Sequence, residues 1–297
     1  MMFYHVFTAE RMKVFKRALV WVCISLLLAL LVFDLTFSYS FSMSPIDQGD
    51  GELRIPQEIQ EQAREDAARQ STLPWSLVGT FGQIYQIGWL VVFIVVGSVV
   101  AQEYTWRSLN LWVSQGISRF LLLAAKFATL IVILLMVVII PVMINGGISA
   151  FFTYQTQGSL NLGIVNYAYL ALGIGASICS LLPYAAFAYF LAVLSKSTFV
   201  PIGGGVAFFF LENVLASKQL PLTQYLPCSL VNGLSSLYAS IPKESLEPVL
   251  NPNLSMAMNA PSMELLSPEW AVLGLILWTL SLLGLALFIF QRQDLTE

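Results

Sequence analysis

A single histidine, His5, stands near the start of the 297 residues. Acid–base or nucleophilic catalysis built on imidazole, and most metal sites, therefore have little to work with. Cys23, Cys179 and Cys228 show neither the pairing of a disulfide framework nor a metal-ligand spacing. Two of them fall in apolar runs, where Cys packs as a small residue. The triplet Gly203 to Gly205 lacks the downstream Lys of a phosphate-cradling loop and lies in an apolar run, not between a strand and a helix. The chain is thus expected to hold no catalytic, cofactor-binding or metal-binding set of its own and not to hydrolyse ATP.

What remains are polar groups set into apolar sequence: Asp34, Gln83, Tyr85, Gln86, Lys126 and Glu212. Ionisable groups in such runs are costly unless they face a cavity, a partner or water. Gln83, Tyr85 and Gln86, spaced one to three apart, suit a polar seam, used either for helix–helix hydrogen bonds or for a pathway.

The elements that must position these groups follow from composition. With 57% hydrophobic and 10% charged residues and a mean hydropathy of +0.76, the chain cannot cover its apolar surface with polar groups in water, so its solvent is lipid. A hydrocarbon core of about 30 Å needs roughly 20 apolar residues at 1.5 Å each. Six runs meet this, approximately Ala18 to Tyr39, Leu77 to Ala101, Phe120 to Ile144, Tyr167 to Leu194, Thr198 to Ala216 and Trp270 to Phe290. Backbone groups cannot stay unpaired in hydrocarbon, and the period-2 alternation of a barrel strand is absent, so the fold class is all-α. The fifth run, with Pro201, three glycines and Glu212, is the one that could instead re-enter. A charge of -3 leaves no basic footprint for nucleic acid. The first run reads as a retained anchor, because no small-residue cleavage site follows it.

Sorting Lys and Arg by alternate sides puts Arg11, Lys13, Lys16, Arg17, Arg107, Arg119, Lys126, Lys196 and Arg292 on one face and Arg54, Arg64, Arg69, Lys218 and Lys243 on the other. The first face has much the shorter loops, so both termini are placed in the cytoplasm. Residues 1–17 form a lead with Phe3, Val6, Phe7 and Val14 near one helical stripe, interrupted by Glu10. It reads either as an interfacial helix or as a basic tail that fixes topology. The membrane domain covers 18–290, with extracytoplasmic segments 42–76, 145–166 and 217–269, a cytoplasmic loop 102–119 and a tail 291–297. Pro56 to Gln70 has the propensity of a surface helix, and 217–269, proline-rich yet apolar in patches, suits short interfacial helices. Asp34 and Glu212 then fall toward the outer ends of their spans. Each is either an interfacial or helix-capping carboxylate or a group that meets substrate, while Lys126 can snorkel to the inner surface.

The loop after the second span reads EYTWRSLNLWVSQGISRFLLLAAKF, Glu103 to Phe127. Glu103, Tyr104, Ser108, Leu109, Leu111, Ser118, Arg119, Leu123 and Lys126 occupy a pattern of Glu and aromatic at the membrane exit, a small polar residue, a Leu-rich turn, then Ser-Arg, a Leu run and a Lys. It resembles the ABC type-2 permease family. Arg107 stands where that family often has Gly, and Gly116 near where it often has Pro. The Ser195-Lys196-Ser197 turn and the ending FQRQDL are weaker likenesses. The resemblance implies a six-helix permease of an ATP-driven exporter in the bacterial inner membrane. It implies a second or paired permease copy, and cytoplasmic ATPase subunits that bind ATP and Mg. It makes the loop a coupling element, with Glu103, Tyr104, Trp106, Arg107, Leu109 and Arg119 docking the ATPase. An aromatic and charged cluster of this kind can enter a partner's cleft. It could equally be an aromatic belt against membrane lipids with positive-inside markers. A nucleotide-independent carrier or channel, and a non-transporting docking or immunity subunit, are the rival functions.

Overall fold

The computed structural model describes residues 2–44, 57–105, 118–160, 162–218, 220–239, 241 and 266–292. Among them there is no strand, and six helices are long and apolar enough to cross a membrane.

The chain opens with α1 (Met2–Phe15). Val6, Glu10 and Val14, four residues apart, form its buried stripe. Arg17, extended at φ -82 and ψ 119, turns the backbone into α2 (Ala18–Met43). Its buried residues Val20, Cys23, Ile24, Leu27, Leu31 and Leu35 recur every three to four positions on one face. The opposite face, with Val22, Leu26, Leu30, Phe33 and Phe37, is exposed. The charged helix expected before the second span is α3 (Gln57–Ser71), packed on α2.

The second and third spans are α4 (Trp75–Thr105) and α5 (Arg119–Gln157). Ser118 caps α5, its Oγ accepting from Leu121 N at 3.3 Å. α5 continues well past Ile144, through much of the segment 145–166 expected outside the span. It ends only at Gly158, whose φ of 69 is the left-handed conformation a glycine adopts without strain. The reason is local: 145–157 carries no charge and no proline, so nothing stops the helix until that glycine.

Next come α6 (Tyr167–Ser195) and α7 (Phe199–Ala216), joined by a turn in which Lys196 has φ 54. Despite Pro201 and its glycines, α7 is one continuous helix, about 27 Å long at 1.5 Å per residue. α6 is rich in small buried residues, among them Ala176, Ser180, Ala185, Ala188 and Ala192, which let neighbours approach closely. α6 and α4 pack on each other at the centre, with α10 (Pro268–Arg292) against α6. Between α7 and α10 lie a 3-10 turn (Pro221–Tyr225) and the short helices α8 (Pro227–Gly233) and α9 (Ser235–Ala239). These tuck into the bundle instead of resting on it: Cys228, Leu230, Val231, Leu234, Tyr238 and Ile241 are all buried.

Candidate functional site

Three polar assemblies interrupt the apolar packing. The first lies where α1 meets the start of α5. Glu10, which stood as a break in the apolar stripe of α1, lies at its centre and is 1% exposed. Its Oε2 accepts from Lys126 Nζ at 3.2 Å and its Oε1 from Lys13 Nζ at 3.1 Å. Lys126 therefore does not snorkel. It turns inward, because a partner carboxylate satisfies it where lipid would not. Burial by itself raises the Glu10 pKa, but the Lys126 and Lys13 ammonium groups outweigh burial and hold the carboxyl below its ordinary value of 4.5. Arg17 donates from a guanidinium nitrogen to Ser98 O of α4 at 3.2 Å, and burial lowers its pKa. α1 is thus fastened to α5 through Glu10, and the junction between α1 and α2 is fastened to α4 through Arg17.

The expected docking residues cluster around this assembly in sequence. Glu103 and Tyr104 lie in the last turn of α4 and Arg119 opens α5, placed by backbone alone. Trp106, Arg107 and Leu109 lie outside the described residues.

The second assembly joins α2 to α4. The Gln83 amide Nε2 donates to Asp34 Oδ2, and Asp34 and Gln86 are exposed. Tyr85, on another face of α4, meets Tyr184 of α6, so Gln83, Tyr85 and Gln86, read as one seam, divide between two places. Three residues apart, Gln83 and Gln86 share a side of the helix, while Tyr85 is rotated about 100° or more from each.

The third assembly resolves the alternatives for Glu212 in favour of a helix cap. Glu212 of α7 is 1% exposed. It accepts from Tyr184 Oη at 2.5 Å and from the backbone N–H of Cys228 at 3.3 Å. Cys228 occupies the first turn of α8, so Glu212 caps that helix from across the bundle. Burial, then the nearby Glu212 carboxylate, pushes the Cys228 thiol up to about 12, which leaves it protonated and unreactive. α7 can deliver Glu212 here because Gly205, two turns earlier, lies flat on the Phe93 ring. A Cβ there would come within 2.6 Å of it. Trp89 of α4 stacks on Phe209 of α7 with centroids 3.9 Å apart and completes the contact.

A family model described as ABC-2 family transporter protein matches residues 5–295, nearly the whole chain. The chain belongs to the ABC-2 transporter family. It is accordingly a multi-pass membrane protein, the permease subunit of an ABC transporter, of a family that associates with ABC ATPase subunits. No curated protein matches it.

Sequence reasoning missed the Glu10–Lys126 pair, and for Glu212 it offered helix capping among its alternatives but not the helix capped or the Tyr184 partner. The first had a signal, since Val6-Glu10-Val14 at i, i+4, i+8 puts the acid on the apolar face. The partners of Glu212 had none, because they are 16 and 28 residues away on separate helices.

Proposed function

We propose that this permease couples ATP binding and hydrolysis by separate cytoplasmic ATPase subunits, which hold the ATP and Mg, to export of a substrate across a bacterial inner membrane. Two permease copies, or a pair of related permeases, would form the path. The match over residues 5–295 carries this reading. In it, both termini and residues 102–119 face the cytoplasm, and Glu103, Tyr104, Trp106, Arg107, Leu109 and Arg119 receive the ATPase. Supporting this is the way α1 is tied to α5 by Glu10–Lys126, and the junction of α1 with α2 to α4 by Arg17–Ser98. A displacement entering through either α4 or α5 would thereby reach the N-terminal helices as well. ATP-driven closure of the ATPases would then shift the bundle between access states.

The test is co-purification with an ABC ATPase, followed by substrate-stimulated ATP hydrolysis in liposomes. Truncating a central docking aromatic costs about 2 kcal/mol, roughly thirtyfold in affinity. Trp106→Ala should therefore insert normally but lose the ATPase on purification, and Arg107→Glu should do the same through charge mismatch. Normal assembly and transport by both variants would remove these residues from the docking surface. Cysteine labelling at residue 50 from the outside checks the orientation, and labelling only after the inner face is opened would invert it.

A further inference from the structure

Glu10 and Glu212 are sealed inside the protein, each with its hydrogen bonds filled. Asp34 is not. It lies sixteen residues beyond Ala18 on α2, about 24 Å along the helix, inside the stretch Ala18–Met43 that is long and apolar enough to cross a membrane. Its side chain is exposed, with one amide bond from Gln83, and among the described residues no Lys or Arg forms an ion pair with it. Gln86, one turn further along α4, is exposed too. On the same stripe, Gly79 and Gly82 leave open space, with nothing within 4 Å of where a Cβ would stand. Beside Asp34 on α2, Phe33 and Phe37 are 67% and 60% exposed and stack on each other with centroids 6.1 Å apart.

A carboxylate and two amides turned toward lipid tails would be a heavy cost with no return, so this stripe faces water or a polar partner. A second copy related by a two-fold axis would set one negative stripe against another. The two like charges would repel strongly in a low-dielectric setting unless a cation lay between them. The remaining oxygens of Asp34, Gln83 and Gln86 attract such a cation through charge and dipole, and through hydrogen bonds where it carries N–H groups, and the phenyl faces attract it further.

We propose that Asp34, with Gln83 and Gln86, recognises the cationic head of an amphiphilic substrate, an ammonium, guanidinium or phosphonium group, whose apolar body rests on Phe33 and Phe37. This rests on the permease reading and names the chemical class that the path accepts. The glycine stretch of α4 leaves room for the head to pass along the helix.

The experiment measures saturable binding of tetraphenylphosphonium to the purified full chain in nanodiscs, without ATPase. Tetraphenylborate, equal in shape and opposite in charge, is titrated in separate samples as the charge control. Binding should saturate, Asp34→Asn should weaken it at least tenfold, and Asp34→Glu should restore most of it. Glu61→Gln, an exposed acid on α3, should leave it unchanged, and tetraphenylborate alone should show no saturable binding that depends on Asp34. Absence of saturable binding, equal binding by Asp34→Asn, or equally tight saturable binding of the borate measured alone would each overturn the proposal. So would a variant that shifts the dimer to monomer while binding the cation normally, since the stripe would then be a subunit interface. Failure of the permease reading shows separately, as an intact cation site in a chain that retains no ATPase.

Discussion

Glu212 and Asp34 are both carboxylates set in apolar spans, and they are handled in opposite ways. Glu212 is enclosed between α6, α7 and α8, and both its oxygens accept hydrogen bonds from the protein. Its work is internal, holding the start of α8 against α7. Asp34 keeps one bond to Gln83 and otherwise opens outward between α2 and α4. A buried polar group that is fully satisfied stabilises the fold, whereas one left open in the membrane waits for something the isolated chain does not supply. Glu10 belongs with Glu212, since it is equally buried and paired with two lysines.

If that division is right, removing the partner of a buried acid should hurt most. Lys126→Leu leaves Glu10 buried against one remaining lysine, and breaking such a pair costs about 3–5 kcal/mol. The release of α1 should be visible as faster amide exchange over Met2–Phe15. Glu10→Leu combined with Lys126→Leu should recover much of the loss. The same contact has a pH dependence of definite sign. Because the folded pKa of Glu10 is lowered, its contribution is complete above the ordinary carboxylate range and disappears as pH falls through the folded value. Amide exchange across α1 should therefore accelerate on acidification and not between pH 6 and 7.

Glu212→Leu should come next, since it strands the Tyr184 hydroxyl and the Cys228 N–H, at about 1–3 kcal/mol for a buried donor left unpaired. Thermal unfolding in detergent reads this, and Glu212→Gln, which keeps an acceptor, should retain most of the stability. A Gln variant as unstable as Leu would show that the negative charge, and not the bonding, is what α8 needs. Gly205→Ala is a smaller perturbation of the same contact. Its methyl meets the Phe93 ring at 2.6 Å, and such overpacking costs about 1–3 kcal/mol. At the bottom of the scale, Asp34→Asn should change stability by no more than about 0.5 kcal/mol. A loss of several kcal/mol there would make Asp34 a structural acid like Glu212 and erase the contrast.

By itself, the sequence determined the number of spans, their approximate places and the all-α class, because apolar run length and backbone hydrogen bonding in lipid leave few alternatives. The helix over Gln57–Ser71 was also legible, from local charge and propensity. The end of α5 was not, since the absence of a stop signal after Ile144 is weaker information than a signal. Only the tertiary structure decided which of the polar residues were neighbours. Lys126 finds Glu10 across 116 residues of sequence, and Gln83 finds Asp34 across 49, while Tyr85, two positions from Gln83, turns to α6. Periodicity assigns a residue to a face of its own helix, but which helix that face meets depends on the packing of all six. That packing is also what separates a sealed carboxylate at Glu212 from an open one at Asp34.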